Sequence, residues 1–534
     1  MQSNVKGEKI DLAQKFRDSL VISRSALLTV PRINEIAISR LILVLVLALG
    51  AFLRLWQLNK IGFNTDEAVY AGQAAAIAQD PALKEIFPVF RAHPLLFHFV
   101  LALVFQFGVD DFKARLVAVI ISIATIYLVY QLGRLLYGRP VGLLAALFLA
   151  LMPYHTVVSR QVLLDGPMVF FSTLTLYLLA RFAMTQRPAW LYVTGIGMGL
   201  TFLAKETGII LIGSIYAFLA LAREIRIRII DIVLSAIFMA LMMAPFPLSL
   251  WLGGGARSGQ SYLIWQLYRR PNHTWDFYPI SVPPAIGYLV IAIALLGLWF
   301  LRHERSWRES LLVWWIIVPV AFFQMWPTKG FQYLLPIVPA IAVLAGRTLV
   351  RWSPAVAIDF KNKNLIITWV KILATGIIAI SLLIPTWRFI QPSTSGTFIA
   401  GTGGVPGGRE AGIWVQENIP MGAKMVTIGP SMANILEFYG HRYAYGLSVS
   451  PNPLRRNPSY QPVTNPDLQI RNGDIQFLVW DSFSAQRSVF FSETLLKLVK
   501  RFNGRIVHVE SVAVLSKDGS SVEMPIIIIY EVRP

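Results

Sequence analysis

Runs of about 20 mostly apolar residues recur along this 534-residue chain, each long enough to cross a bilayer core of roughly 30 Å. Inside lipid no water meets the backbone N–H and C=O groups, so such runs fold as helices that bond within themselves. The candidate spans are 36–58, 112–135, 141–158, 167–184, 189–204, 206–222, 229–250, 283–301, 309–326, 331–349 and 365–388, about eleven crossings. Only 14% of residues are charged, against about 25% in an average soluble domain, and mean hydropathy is +0.58. No small-residue cleavage site follows the first run, so it reads as a retained span and not a removed leader.

The chain carries 48 basic and 29 acidic residues, a formal net charge of +19. The basic residues sit beside apolar spans and build no soluble basic domain, which argues against nucleic acid and for basic cytoplasmic loops touching anionic lipid. Lys6, Lys9, Lys15, Arg17 and Arg24 place the tail 1–35 in the cytoplasm by the positive-inside rule. Every second connection is then basic: Arg134/Arg139, Arg181/Arg187, Arg223/Arg226/Arg228, Arg302/Arg305/Arg308 and Arg347/Arg351/Lys361/Lys363. This alternation requires the short apolar segment 93–107 to lie at the interface without crossing. The sequence contains no cysteine, which rules out disulfides, thiolate metal sites and a thiol nucleophile.

From about 390 the character changes. A glycine-rich connector, 401–408, lacks the Lys-Ser/Thr of a phosphate loop and reads as a linker. Beyond it, 425–428, 477–480 and 526–530 read as buried strands, and 432–439 and 493–502 have helical spacing. The expected architecture is therefore mostly α: a polytopic helical domain over 36–390, with outer loops 59–111 and 251–281. A small extracytoplasmic α/β domain follows over 391–534.

Ionisable residues cluster in the connections assigned to the outer side. Asp66 and Glu67 are adjacent acids just past the first span, near the start of a short helix that Thr65 or Asp66 would cap. Capping accounts for one acid; the functional reading is a general base, with or without a divalent metal ion. His93 precedes Pro94 and is suited to a phosphate hydrogen bond or simply to the interface. Asp165 heads an apolar span, where an acid is costly unless paired, and Arg160 is the nearest candidate partner in the sequence. Lys205 and Lys329 fall on the same side, either snorkelling or meeting an anion. The loop 251–280 adds Arg257, Tyr268, Arg269, Arg270, His273 and Asp276. An acid to deprotonate an acceptor and cations to receive a departing phosphate are what transfer from a lipid phosphate requires.

Asp66-Glu67, His93-Pro94, Arg115-Leu116, Leu164-Asp165, Lys205, and Lys329 with Tyr333-Leu-Leu-Pro336, in this order, resemble the membrane glycosyltransferases of the protein-O-mannosyltransferase and aminoarabinose-transferase type. The resemblance covers about 36–350 and implies a GT-C fold, a polyprenyl-phosphate-linked sugar donor and inversion by direct displacement. It implies catalytic roles for Asp66, Glu67 and Asp165, with Asp66 as base and Asp165 supporting the acceptor or, with Asp66, a metal. His93, Lys205, Lys329, Tyr333, Arg269 and Arg270 would hold the donor phosphate. Aminoarabinose transferases tend to read Asp-Glu-Thr-Arg-Tyr and Glu-Lys-Pro, whereas this chain reads Asp66-Glu-Ala-Val-Tyr70 and Ala92-His-Pro94. That phosphate clamp does not carry over, nor does the His-Pro-Pro motif of eukaryotic mannosyltransferases. The expected location is the plasma (inner) membrane, with the acceptor, whether lipid, glycan or protein, left open. A transporter or flippase would need mid-membrane charges and an internal repeat, and neither is evident. A scaffold working through its outer domain is the third reading.

Overall fold

A computed structural model describes residues 33–89, 93–252, 262, 264–266, 268–304, 306–352, 363–392, 405–515 and 521–534. The tail before residue 33, Arg257, Arg305, Lys361 and the first half of the glycine-rich connector lie outside the described residues. Residues up to Val46 form one unit, whose described part is the first half of helix α1; residues from Leu47 form the second unit, which holds everything discussed below.

The helical part runs α1 (Ile33–Leu55), α2 (Thr65–Ile77), α3 (Leu96–Phe105), α4 (Asp111–Tyr137), α5 (Arg139–Leu151), α6 (Pro153–Val158), α7 (Asp165–Thr185), α8 (Pro188–Ala204), α9 (Leu211–Leu221), α10 (Ile229–Met243), α11 (Pro245–Leu252), α12 (Phe277–Ile286), α13 (Tyr288–Phe300), α14 (Trp307–Met325), α15 (Val338–Arg351) and α16 (Lys363–Ile390). Every expected span falls on helix. Among the described residues, seven helices are long and apolar enough to cross a membrane, and the pair α12–α13 adds an eighth if its 94° bend is one broken span. These account for eight of the expected eleven. The three remaining runs fall on shorter apolar helices, Arg139–Leu151, Pro188–Ala204 and Glu206–Leu221. The 13 residues of α5 reach only about 20 Å at 1.5 Å per residue. Helix α3, at ten residues, reaches about 15 Å, half a bilayer core.

Close packing among these helices uses small residues where hydrophobicity cannot distinguish protein from lipid. Gly195 and Gly199 lie one turn apart on α8, and a side chain at either would collide with Ser235 or Met242 of α10.

The C-terminal part contains α17 (Gly408–Asn418), β1 (Lys424–Thr427), α18 (Pro430–Gly440), β2 (Tyr443–Gly446), α19 (Pro466–Arg471), β3 (Phe477–Asp481), α20 (Ser482–Arg487), α21 (Val489–Arg501), β4 (Arg505–Leu515) and β5 (Ser521–Glu531). The sheet order is β2-β1-β3-β5-β4, with the first three strands parallel and β5 and β4 antiparallel. The three expected strands and both expected helices are present. Strands β2 and β4 were not anticipated, β2 because four residues carry little pattern and β4 because it is a sheet edge with mixed polarity. The last two glycines of the expected linker belong to the fold: Gly407 sits at φ 73° and starts α17.

This α/β part is continuous with the segment after α1. One apolar core contains Phe63, Ala68, Ala71, Ala75, Phe97 and Leu101 together with Val415, Met432, Leu436, Val479 and Ile529. Polar ties reinforce it: Arg409 pairs with Asp111 at 2.5 Å, and the Tyr439 hydroxyl donates to Asp111 at 2.9 Å while accepting from the Phe63 amide at 2.8 Å. The sheet domain thus forms a wall next to Asp66.

Candidate active site

Helix α2 begins with a capping box, and its cap is Asn64, where Thr65 or Asp66 had been expected. The Asn64 side chain accepts from the Glu67 amide at 3.0 Å, and the Glu67 carboxylate accepts from the Asn64 amide at 3.1 Å. Because Asn64 performs this task, Asp66 is released from it.

The two adjacent acids then part company. Glu67 is 1% exposed and holds Arg115 with both oxygens, at 2.8 and 2.7 Å, while also accepting from the Val162 amide at 3.0 Å. Arg115 uses its other N–H groups on the carbonyls of Leu58, Ile61 and Gly62. The expectation that Glu67 is catalytic is corrected: its acceptor capacity is consumed in tying α2 to α4 and to the turn before α7. Asp66, by contrast, makes no hydrogen bond or ion pair with any described residue and remains in contact with solvent. Surrounding protein nevertheless crowds it. That crowding raises its pKa above the ordinary aspartate value, against the opposing pull of Lys205, His93 and Arg269.

Asp165, the first residue of α7, is 2% exposed. Its partner is Lys205, whose ammonium donates to both carboxylate oxygens at 2.8 and 2.7 Å. The proposed pairing with Arg160 is corrected: Arg160 instead donates to the carbonyls of Leu53, Arg54 and Trp56, at the end of α1. Lys205 also lies 5.2 Å from the centre of the Tyr333 ring. Asp66 and Asp165 feel one another's charge and share Lys205 as a neighbour.

His93 Nδ1 bonds to Glu206 at 2.9 Å, and its Nε2 lies 3.4 Å from the Tyr262 hydroxyl. Tyr70, one turn after Asp66 on α2, packs edge-on against His93 at 6.1 Å. Arg269 stacks over Trp265 at 4.9 Å, forms no ion pair with a described residue, and lies within electrostatic reach of Asp66, Tyr262 and Tyr333.

Two of the expected phosphate ligands are not brought here. The Lys329 ammonium donates to the carbonyls of Gln324 (2.8 Å) and Trp326 (3.2 Å), closing the end of α14, and lies over Trp275 and Tyr278. Arg270 is exposed and touches none of the cluster. No group of three His, Asp or Glu side chains able to hold a metal converges among the described residues. With a Lys205 ammonium already on Asp165, the expected Asp66–Asp165 metal pair does not fit.

Sequence reasoning missed three residues that line the site: Tyr70, Glu206 and Tyr262. Only Tyr70 carried a signal, its i+4 spacing from Asp66. Glu206 is adjacent to Lys205, but nothing in the sequence pairs it with a histidine 113 positions earlier.

A family model described as dolichyl-phosphate-mannose-protein mannosyltransferase matches residues 92–251. Among solved structures, the chain superposes on ArnT from Cupriavidus metallidurans bound to undecaprenyl phosphate, with a TM-score of 0.64 at 15% identity, covering 94% of this chain and 98% of that one. The chain has the GT-C fold. The archaeal oligosaccharyltransferase AglB from Archaeoglobus fulgidus, in complex with an inhibitory peptide and a dolichol-phosphate, shares that fold at a TM-score of 0.53 and 13% identity, covering 91% of this chain and 74% of AglB. A protein of Aquifex aeolicus is 27% identical over 251 residues, 45% of this chain and 56% of the relative. An undecaprenyl phosphate-alpha-4-amino-4-deoxy-L-arabinose arabinosyl transferase 1 of Pseudomonas fluorescens is 25% identical over 262 residues, 46% of this chain and 47% of the relative. The chain thus spans about half the length of these curated relatives. Within the GT-C fold, α2 and α3 with their connections form the long first loop, and Asp66 lies at its start.

Proposed function

We propose that this chain is a membrane glycosyltransferase. It moves a sugar from a polyprenyl-phosphate donor to a hydroxyl acceptor, with inversion. One observation carries the reading: once Asp165 has taken Lys205 and Glu206 has taken His93, Asp66 and Arg269 lie within electrostatic reach of one another and neither forms an ion pair with a described residue. A carboxylate and a guanidinium so related can serve as the base and the anion ligand of a displacement at a phosphorylated carbon.

In the reaction, the acceptor oxygen attacks the anomeric carbon as its proton passes to Asp66. The bond from that carbon to the phosphate oxygen breaks, and the negative charge that builds on the lipid phosphate is met by Arg269, Lys205 and His93. Tyr333, beneath Lys205, keeps the ammonium positioned. The Asp165–Lys205 pair fixes the cation, and the Glu67–Arg115 pair fixes the start of α2 and therefore the Asp66 side chain. The molecules bound to ArnT and AglB, undecaprenyl phosphate and dolichol-phosphate, support a lipid phosphate as the leaving group. The basic connections support a cytoplasmic N-terminus and a site that lies, with the sheet domain, on the extracytoplasmic side of the plasma membrane.

The test is the glycan and glycolipid profile of membranes from cells with and without the chain, repeated with Asp66→Asn. A product present with the wild type and absent with Asp66→Asn supports the proposal. An unaltered product with Asp66→Asn removes the assigned base.

A further inference from the structure

The sheet domain carries a polar group of side chains that the transfer chemistry above does not use. Asn434 and Glu437 lie one turn apart on α18, the helix packed on Phe63 through Phe438 and Tyr439, with ring centres 5.0 and 6.1 Å apart. Asn434 is 6% exposed, and its side chain interacts with the Tyr460 hydroxyl. Glu437 has no cationic partner among the described residues; its one contact is a long 3.4 Å bond from the Ala444 amide. Tyr460, from the connection after β2, lies beside both residues and within electrostatic reach of Asp66 and Arg269. Tyr460 therefore borders the reacting centre, with Asn434 and Glu437 beside it.

We propose that Asn434, Glu437 and Tyr460 form the acceptor subsite, and that they receive an uncharged, hydroxyl-bearing sugar next to Asp66. An amide, a carboxyl and a phenol offer donors and acceptors with no cation among them, which suits sugar hydroxyls and gives a phosphorylated headgroup nothing to bind. Burial pushes the Glu437 carboxyl up to about 8, so at neutral pH it is protonated and donates a hydrogen bond. Tyr460 and the Asn434 amide beside it then hold the acceptor ring so that one hydroxyl meets Asp66. The proposal rests on the glycosyltransferase reading.

The experiment compares wild type, Asn434→Ala, Glu437→Ala and Glu437→Gln. One arm measures the product in membranes of cells lacking the native chain. A second measures the thermal shift that undecaprenyl phosphate gives the purified protein. A third records saturation-transfer NMR with methyl α-D-mannopyranoside, methyl α-D-glucopyranoside and glycerol 1-phosphate. Each alanine variant is expected to lower product about tenfold or more, to lose the glycoside signal, and to keep the undecaprenyl phosphate shift. Glu437→Gln, which retains a neutral hydrogen-bonding group, is expected to stay within about threefold of wild type. Unchanged product and glycoside signal in both alanine variants would overturn the subsite. A signal from glycerol 1-phosphate with none from the glycosides would overturn the uncharged-sugar assignment. Should wild type yield neither product nor lipid-phosphate shift, the glycosyltransferase reading itself fails, an outcome distinct from the other two.

Discussion

Asp66 and Glu67 are neighbours of the same charge, and the structure predicts opposite consequences for removing them. Glu67→Ala deletes half of a capping box, worth about 1 kcal/mol, and leaves the buried Arg115 without its carboxylate, which costs about 3–5 kcal/mol. The Val162 amide loses its acceptor as well, for about 1 kcal/mol or more. Against a typical total stability of about 5–15 kcal/mol, the combined loss of roughly 5–7 kcal/mol is severe. Glu67→Ala is expected to lower the thermal unfolding temperature sharply or to prevent recovery of folded protein from detergent. Asp66→Asn removes no contact with a described residue, so its stability should stay within about 0.5 kcal/mol of wild type while transfer falls about 10²–10⁴-fold. Fluorescence-monitored unfolding of the two purified variants, with the membrane product assay beside it, separates the roles. A stable Glu67→Ala protein, or an Asp66→Asn protein that unfolds early, would refute the division of labour between scaffold and base.

Three further outcomes follow from the same geometry. Lys205→Met strands the buried Asp165 carboxylate and should cost about 3–5 kcal/mol; Lys205→Met with Asp165→Leu should recover most of that stability in unfolding measurements, without recovering transfer. Arg269→Ala should weaken undecaprenyl phosphate binding about 10–100-fold in titrations, the worth of a charged hydrogen bond, whereas Lys329→Ala should leave that binding unchanged. Asp66 works as a base only when ionised, and its pKa is raised, so activity should be lost as pH falls through that raised value. The acid limb of the pH–rate profile should then lie above the ordinary aspartate pKa of about 3.9, and a limb at or below that value would contradict the crowded environment.

The sequence by itself determined the helical membrane architecture, because a run of apolar residues in lipid has no other way to satisfy its backbone. It also determined the existence of the sheet domain through the apolar runs that became β1, β3 and β5. It singled out Asp66, Asp165, Lys205 and His93, because charges are costly beside apolar spans and stand out against them. The partners of those charges came only from tertiary structure. Lys205 bonds Asp165 across 40 positions, His93 bonds Glu206 across 113, and Arg115 reaches Glu67 across 48. Local spacing pointed to Arg160 for Asp165 and treated Asp66 and Glu67 as equals. Which of two adjacent carboxylates is free and which is consumed depends on where α4 and the turn before α7 pack against α2. The same holds for Lys329, which chemistry suited to a phosphate and packing assigned to the end of α14. Charge type is a property of a residue and is written in the sequence; charge availability is what remains after distant neighbours have bonded, and only the folded chain decides it.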